Sequence, residues 1–334
     1  MTKKNLVVLL IISLILSGCG TAVSEKAAAI EPTILPTPTI TFPPNWVLKA
    51  PMPTARWGHS SAVVDGKIYV FGGVGGLDKL EVYDPATDTW ESKADMPTPR
   101  NSHASSVVDG KIYVIGGIEK FSGGTPLDSV EVYDPETDTW ESRTGLGTAR
   151  FGITAATVNG KIYVFGGCGP EICKLLTTVE EYDPETDTWR YKADIPTPRV
   201  QLSSTVFEGK VYVISGLLKP DGSSGKMVEV YDPETDTWEK KADMPSARTA
   251  PISIFNGKIY AFGGFAARGG IAHATLFAYD PSSDTWQKLT EMPFGRFVMT
   301  TEVVDGKIYM IGGSETKVPH VPYLSEVVEI TLEN

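Results

Sequence analysis

The chain has 334 residues with 33 glycines, 24 prolines and a formal net charge of -11. An acidic balance of this size lacks the basic face that would replace phosphate counterions, so it excludes an ordinary nucleic-acid binder. The length exceeds one simple β-sandwich but suits a closed array of small sheets folded as a single domain.

Residues 1–18 read as a secretory signal. Lys3 and Lys4 precede the apolar run Leu6 to Leu16, which is shorter than the ~20 residues a membrane span requires. The run ends in Leu16-Ser17-Gly18-Cys19, which resembles the lipobox of bacterial lipoproteins. That resemblance implies lipidation of Cys19 and an exported protein held on the outside of the bacterial membrane. Residues 19–44 then turn to Ala, Thr and Pro, as in EPTILPTPTITFPP. Prolines fix φ and remove donors, so this stretch is expected to be an extended stalk, with contact to the membrane only through the lipid.

The rest of the chain, residues 45–334, is organised by one repeated stretch. GKIYVFGG, a loop, then LEVYDPATDTW run from Gly66 to Trp90, and five further copies of the frame follow. Each unit reads as four strands. A small-residue innermost strand ends at a turn such as Asp65-Gly66 or Asn159-Gly160, a strong hairpin signal because both central residues take positive φ. The IYVFGG and VEVY runs supply the second and third strands, Asp84-Pro85 and its copies start a turn, and the fourth strand opens at tryptophan. Those tryptophans stand at 46, 90, 140, 189, 238 and 286. The first precedes any innermost strand and the sixth unit stops after its third, so Trp46 to Lys49 is predicted to complete the last sheet and close the ring.

The glycine doublet, the tyrosine ahead of it and the later tryptophan resemble the kelch repeat, and the likeness covers residues 45–332. It implies an all-β, six-bladed propeller closed by its N-terminal strand, with units of about 48 residues against about 50 for kelch. Three departures stand out. Ser215-Gly216 replaces a Gly-Gly pair, and unit six lacks the Asp-Pro turn. Unit five is one residue short before Gly257 and carries Pro251, which predicts a distorted innermost strand.

Strand direction places every variable loop and each connection between units on one face of the disc. Scaffold loops that vary are where binding sites are usually grafted. An arginine recurs there in each unit, at Arg56, Arg100, Arg150, Arg199, Arg248 and Arg296. A ring of guanidiniums is a candidate anion site. In the eukaryotic kelch adaptors arginines at this position help hold acidic peptides, so the resemblance implies the same here. The alternative is that each arginine pairs with carboxylates or loop carbonyls of its own blade. Beside them stand Trp57, Asn101, Phe151, Gln201, Thr249 and Phe297, whose aromatics can stack on sugars or fill space between blades.

Glu302 is the one charge within the innermost strands, apart from the flanking arginines and turn acids. Two roles suit it: an internal salt bridge, which is the reading favoured, or an acid or base in the channel, with Arg296 as its partner. His59, His103 and His273 share the loop face, but no paired spacing accompanies them and zinc wants three or four ligands, so no metal and no cofactor are expected. Cys168 and Cys173, in one loop of an exported protein, are expected to form a disulfide. These features point to a monomeric, surface-tethered binding module for a protein partner or an acidic carbohydrate, rather than an enzyme. The architecture is also similar to bacterial N-acetylneuraminate mutarotases, exported six-bladed kelch proteins, and that similarity implies a sugar mutarotase as the alternative.

Overall fold

The computed structural model describes residues 45–120, 123–171, 173–219, 222–266, 271–315 and 323–332. The signal, the stalk and the lipidation site Cys19 lie outside the described residues. Six antiparallel four-stranded sheets make up the rest, five of them ordered from the innermost strand outward as the chain runs and the sixth taking its outermost strand from the start of the fold. In blade one these strands are Ser60–Val64, Lys67–Phe71, Leu80–Asp84 and Thr89–Ser92.

Local chemistry explains the repetition. Each hairpin between the first two strands turns on a pair at positive φ, as at Asp65 (50°) and Gly66 (72°), which matches the strand twist. The Asp-Thr-Trp motif works as a latch between blades. Asp88 Oδ1 accepts the Tyr83 hydroxyl at 2.7 Å and the amide of Ala50 at 2.8 Å, while the Trp90 indole donates to the Ala50 carbonyl at 2.8 Å. Asp138, Tyr133 and Trp140 repeat this grip on Ala94. The chain leaving one blade is thereby clamped by the next.

Closure follows the predicted route. Trp46–Lys49 pairs antiparallel with Val327–Ile330, with Trp46 opposite Ile330, and Asn45 bonds Thr331 in both directions. Apolar contacts run between neighbouring sheets. Phe71, Leu80 and Val82 of blade one pack on Ile112, Val114 and Tyr133 of blade two, so each sheet buries a face it could not bury alone.

The glycine doublets are where blades splice. Gly73 N–H donates to Arg100 O at 2.9 Å, and a Cβ on Gly72 would lie 2.5 Å from His103 Cε1 and 2.6 Å from the Arg100 carbonyl. The same splice joins Gly117 to Arg150, Gly167 to Arg199, Gly264 to Arg296 and Gly313 to Arg56. Between blades four and five no hydrogen bond joins Gly216 to Arg248. Blade five is irregular as expected: its innermost strand is Ile252–Phe255, four residues instead of five, and its outer pair carries a bulge at Leu276/Phe277.

Candidate functional site

The six arginines meet inside the blades, not on the surface. Each is 0–3% exposed. Arg56 Nη2 bonds Glu81 at 2.6 Å and Nη1 bonds the carbonyls of Gly72 and Lys79 at 3.1 Å. Arg100 pairs with Glu131 at 2.9 Å, Arg199 with Glu229 at 2.8 Å and Arg296 with Glu326 at 3.2 Å, while Arg150 pairs with Glu180. Arg248 has Phe277 where the earlier blades have glutamate. Its guanidinium lies 5.0 Å from that ring and donates to Ser246 and the Gly263 carbonyl.

The expected solvent-facing ring is therefore not formed. Burying a guanidinium demands acceptors, and the fold supplies most of them from its own strands and loops, leaving Arg199 Nε and Nη1 and Arg296 Nε without one. The glutamate at the second position of the third strand recurs with the arginine in blades one to four. That shared period was the signal in the sequence for this pairing.

Asn101 is also internal: its side chain donates to Ile118 O at 3.1 Å and accepts from Ser102 at 3.0 Å. Trp57, Phe151 and Phe297 are half-buried. Phe297 meets Phe265 edge-on at 5.2 Å, and Phe151 and Phe297 flank a cluster of Cys168, Val200, Leu217 and Phe265. The bridge Val200–Leu217, matching Trp57–Val74 and Phe151–Cys168, shows that Val200 rather than Gln201 is the counterpart of Trp57. Cys168 and Cys173 form a disulfide with Cα atoms 4.9 Å apart. Among the described residues no group of His, Cys, Asp or Glu is arranged to hold a metal ion.

What the innermost strands do enclose is a cavity of about 290 Å³ on the axis, with all six blades on its wall. Its lining is rich in hydroxyls, including Ser61, Ser105, Thr154, Ser204 and Thr301, and it includes Glu302. A hydroxyl pair crosses a blade interface here, Thr154 to Ser204 at 2.7 Å, and the lining Thr301 accepts from Ser253 at 2.7 Å. Glu302 is the carboxyl member of this girdle: it accepts from Ser61 at 2.7 Å. No cation pairs with it among the described residues, so the expected internal salt bridge is absent. Arg296, its nominated partner, is occupied by Glu326 and by the Phe294 ring.

The electrostatics follow from that isolation. Burial pushes the Glu302 carboxyl up to about 7, and the Ser61 hydroxyl opposes this only in part. His59 lines the cavity and contacts Thr300 at 3.1 Å, yet burial and the neighbouring Arg56 push it down to about 3. Burial and Arg100 likewise hold His103 well below the ordinary range. Both imidazoles are neutral at physiological pH. The site is thus a hydroxyl-lined pocket with one group able to exchange a proton near neutrality.

A ring of four-stranded blades latched by Asp-x-Trp turns, sealed by the N-terminal strand and hollow on its axis defines a six-bladed kelch β-propeller. The kelch motif model matches residues 248–293. The chain belongs to the Attractin/LZTR1 beta-propeller family, whose model matches residues 44–269. Among solved structures it is similar to one described as "Structure of YjhT", with a TM-score of 0.76 and 21% identity over 85% of this chain and 97% of that one. No curated protein matches the sequence.

Proposed function

We propose that the protein is a binding module whose ligand enters from the variable-loop face and is held in the axial cavity. The kelch propeller is a fold consistent with such a module. The observation that carries the reading is the cavity itself, walled by six blades and lined by serine and threonine hydroxyls. Hydroxyl-lined concave sites suit small polyhydroxylated ligands, since each sugar hydroxyl needs a partner once desolvated. With the guanidiniums already engaged by glutamates, a neutral sugar fits this wall better than the acidic one the arginine ring suggested. Residues 1–44 support an exported, lipid-anchored setting for this head, and the Cys168–Cys173 disulfide is compatible with an oxidising compartment.

Calorimetric titration against neutral and acidic sugars tests the reading. Binding of a neutral sugar that disappears in Ala155→Phe, which fills the cavity wall, is the expected result. The absence of sugar binding, together with capture of a protein partner on the loop face, would overturn it. Metabolic labelling with a fatty acid tests the anchor, with the label lost in Cys19→Ser.

Glu302 favours a second reading, a sugar-ring-opening enzyme. As a carboxylate it can take the anomeric hydroxyl proton while the bond from the anomeric carbon to the ring oxygen breaks and that oxygen takes a proton from water. On closure the ring oxygen loses its proton to water as it attacks either face of the carbonyl, whose oxygen takes the proton back from the carboxyl. Anomer exchange of N-acetylneuraminate and of neutral reducing sugars, slowed by orders of magnitude in Glu302→Gln, is its test. An unchanged rate in that variant removes it.

A further inference from the structure

A belt of main-chain hydrogen bonds runs around the mouth of the axial cavity. Ser102 N–H donates to Gly58 O at 2.8 Å, Gly152 to Ser102 O at 2.7 Å and Gln201 to Gly152 O at 2.7 Å. On the other side Gly58 donates to Val298 O at 3.2 Å. All five residues have positive φ, between 52° and 64°, and all line the cavity. Each amide thus points along the belt to the next blade.

At blade five the belt is interrupted. The residue missing from this unit is the positive-φ member: the chain passes Thr249-Ala250-Pro251 directly, and none of the three has positive φ. Among the described residues the Gln201 carbonyl accepts no hydrogen bond, and the amides of Ala250 and Val298 donate none. The Gln201 side chain adds Oε1, a buried acceptor with no partner. Unpaired main-chain groups gathered on one cavity wall, with the buried Gln201 Oε1 beside them, mark a place for a ligand group. Val298 in the left-handed region is a further sign, because a β-branched residue adopts it only where its surroundings enforce it.

The geometry points to a subsite for a secondary amide, carried by a neutral N-acetylated sugar, at the break in this belt. The inference rests on the axial cavity being the binding site. A trans amide holds its N–H and C=O on opposite sides. One such group can accept from Val298 N–H and donate to Gln201 O, supplying the acceptor and the donor that the missing residue would have given from its two flanking peptide groups. A carboxylate could only accept there, and an ammonium could only donate. The acyl methyl would meet the paired rings of Phe265 and Phe297, the first of which is on the cavity wall. The sugar hydroxyls would face the serine and threonine girdle.

The experiment is calorimetric titration of the protein with matched pairs: N-acetylglucosamine and glucose, N-acetylgalactosamine and galactose, N-acetylmannosamine and mannose. About tenfold tighter binding of the acetylated member in at least one pair is expected, the worth of two hydrogen bonds that the plain sugar leaves unmade. Equal binding within every pair overturns the amide subsite and leaves the cavity reading standing. No binding of any of the six sugars overturns both. A variant with glycine inserted after Thr249 and Pro251→Ser restores the belt residue. It should lose the acetyl preference while keeping its binding of the plain sugar, and retention of the preference in that variant also contradicts the proposal.

Discussion

Arg150 and Glu302 are both charges set inside the disc, and they meet opposite surroundings. Arg150 lies in a position that every blade repeats. It is met by Glu180, the Thr178 hydroxyl and the carbonyls of Gly166 and Thr178. Glu302 stands where the other innermost strands carry Ala62, Ser106, Ala156, Thr205 and Ser253, and its one hydrogen-bond partner is a serine hydroxyl. In blades one to four the repeated charge has had its partner repeated with it. A charge that occurs once is left to the cavity, where a ligand can meet it.

The largest effect expected from breaking this contrast is at the paired charge. Arg150→Met strands the Glu180 carboxylate in the interior and should lower the unfolding free energy by about 3–5 kcal/mol, read from denaturant midpoints.

Glu302 comes next and with the opposite sign. Its folded pKa of about 7 lies above the ordinary 4.5. The stability it contributes as a neutral carboxyl is therefore complete below pH 4.5 and is lost as pH rises through 7. Glu302→Gln should be more stable than the parent by about 2–3 kcal/mol at pH 8 and nearly equal to it at pH 4.5, since each pKa unit is worth about 1.4 kcal/mol. Denaturant curves of both proteins across that range, taken as a difference, isolate this one group.

Asp138→Ala removes the acceptor for Tyr133 and for the Ala94 amide. A loss of about 1–2 kcal/mol in thermal or chemical unfolding is expected, because water can replace part of an exposed latch. The smallest change sharpens the first. Arg248 has no carboxylate within ion-pair distance among the described residues, only Phe277, Ser246 and a carbonyl, with the exposed Glu291 acting on it at longer range. Arg248→Leu should therefore cost about 1 kcal/mol, well below Arg150→Met, because no charge is left behind.

The fold was legible because periodicity carries it. Asx-Gly turns, Asp-x-Trp latches and the displaced Trp46 each state a local rule, and all of them agree with one ring. The site was less legible. The arginine period was visible, but its meaning depended on the glutamate of the third strand, which sits about thirty residues further on and reads locally as an ordinary strand residue. Glu302 was conspicuous by being unique. Its lack of a counter-ion was hidden, because that depends on what the next blade presents, here Ser61. The interrupted belt was hidden more deeply. It is made of main-chain groups, and the sequence recorded only that unit five is one residue short, while the slip between Val200 and Gln201 concealed which position had been lost.

The most direct test of the central contrast, that the repeated arginines are engaged inside the blades while the singular carboxyl of the cavity has no counter-ion, is an NMR titration of the Glu302 side-chain carboxyl. Glu302→Gln assigns the resonance. A midpoint near pH 7 is predicted. A midpoint near 4.5 would mean a solvated or ion-paired carboxyl and would contradict the account.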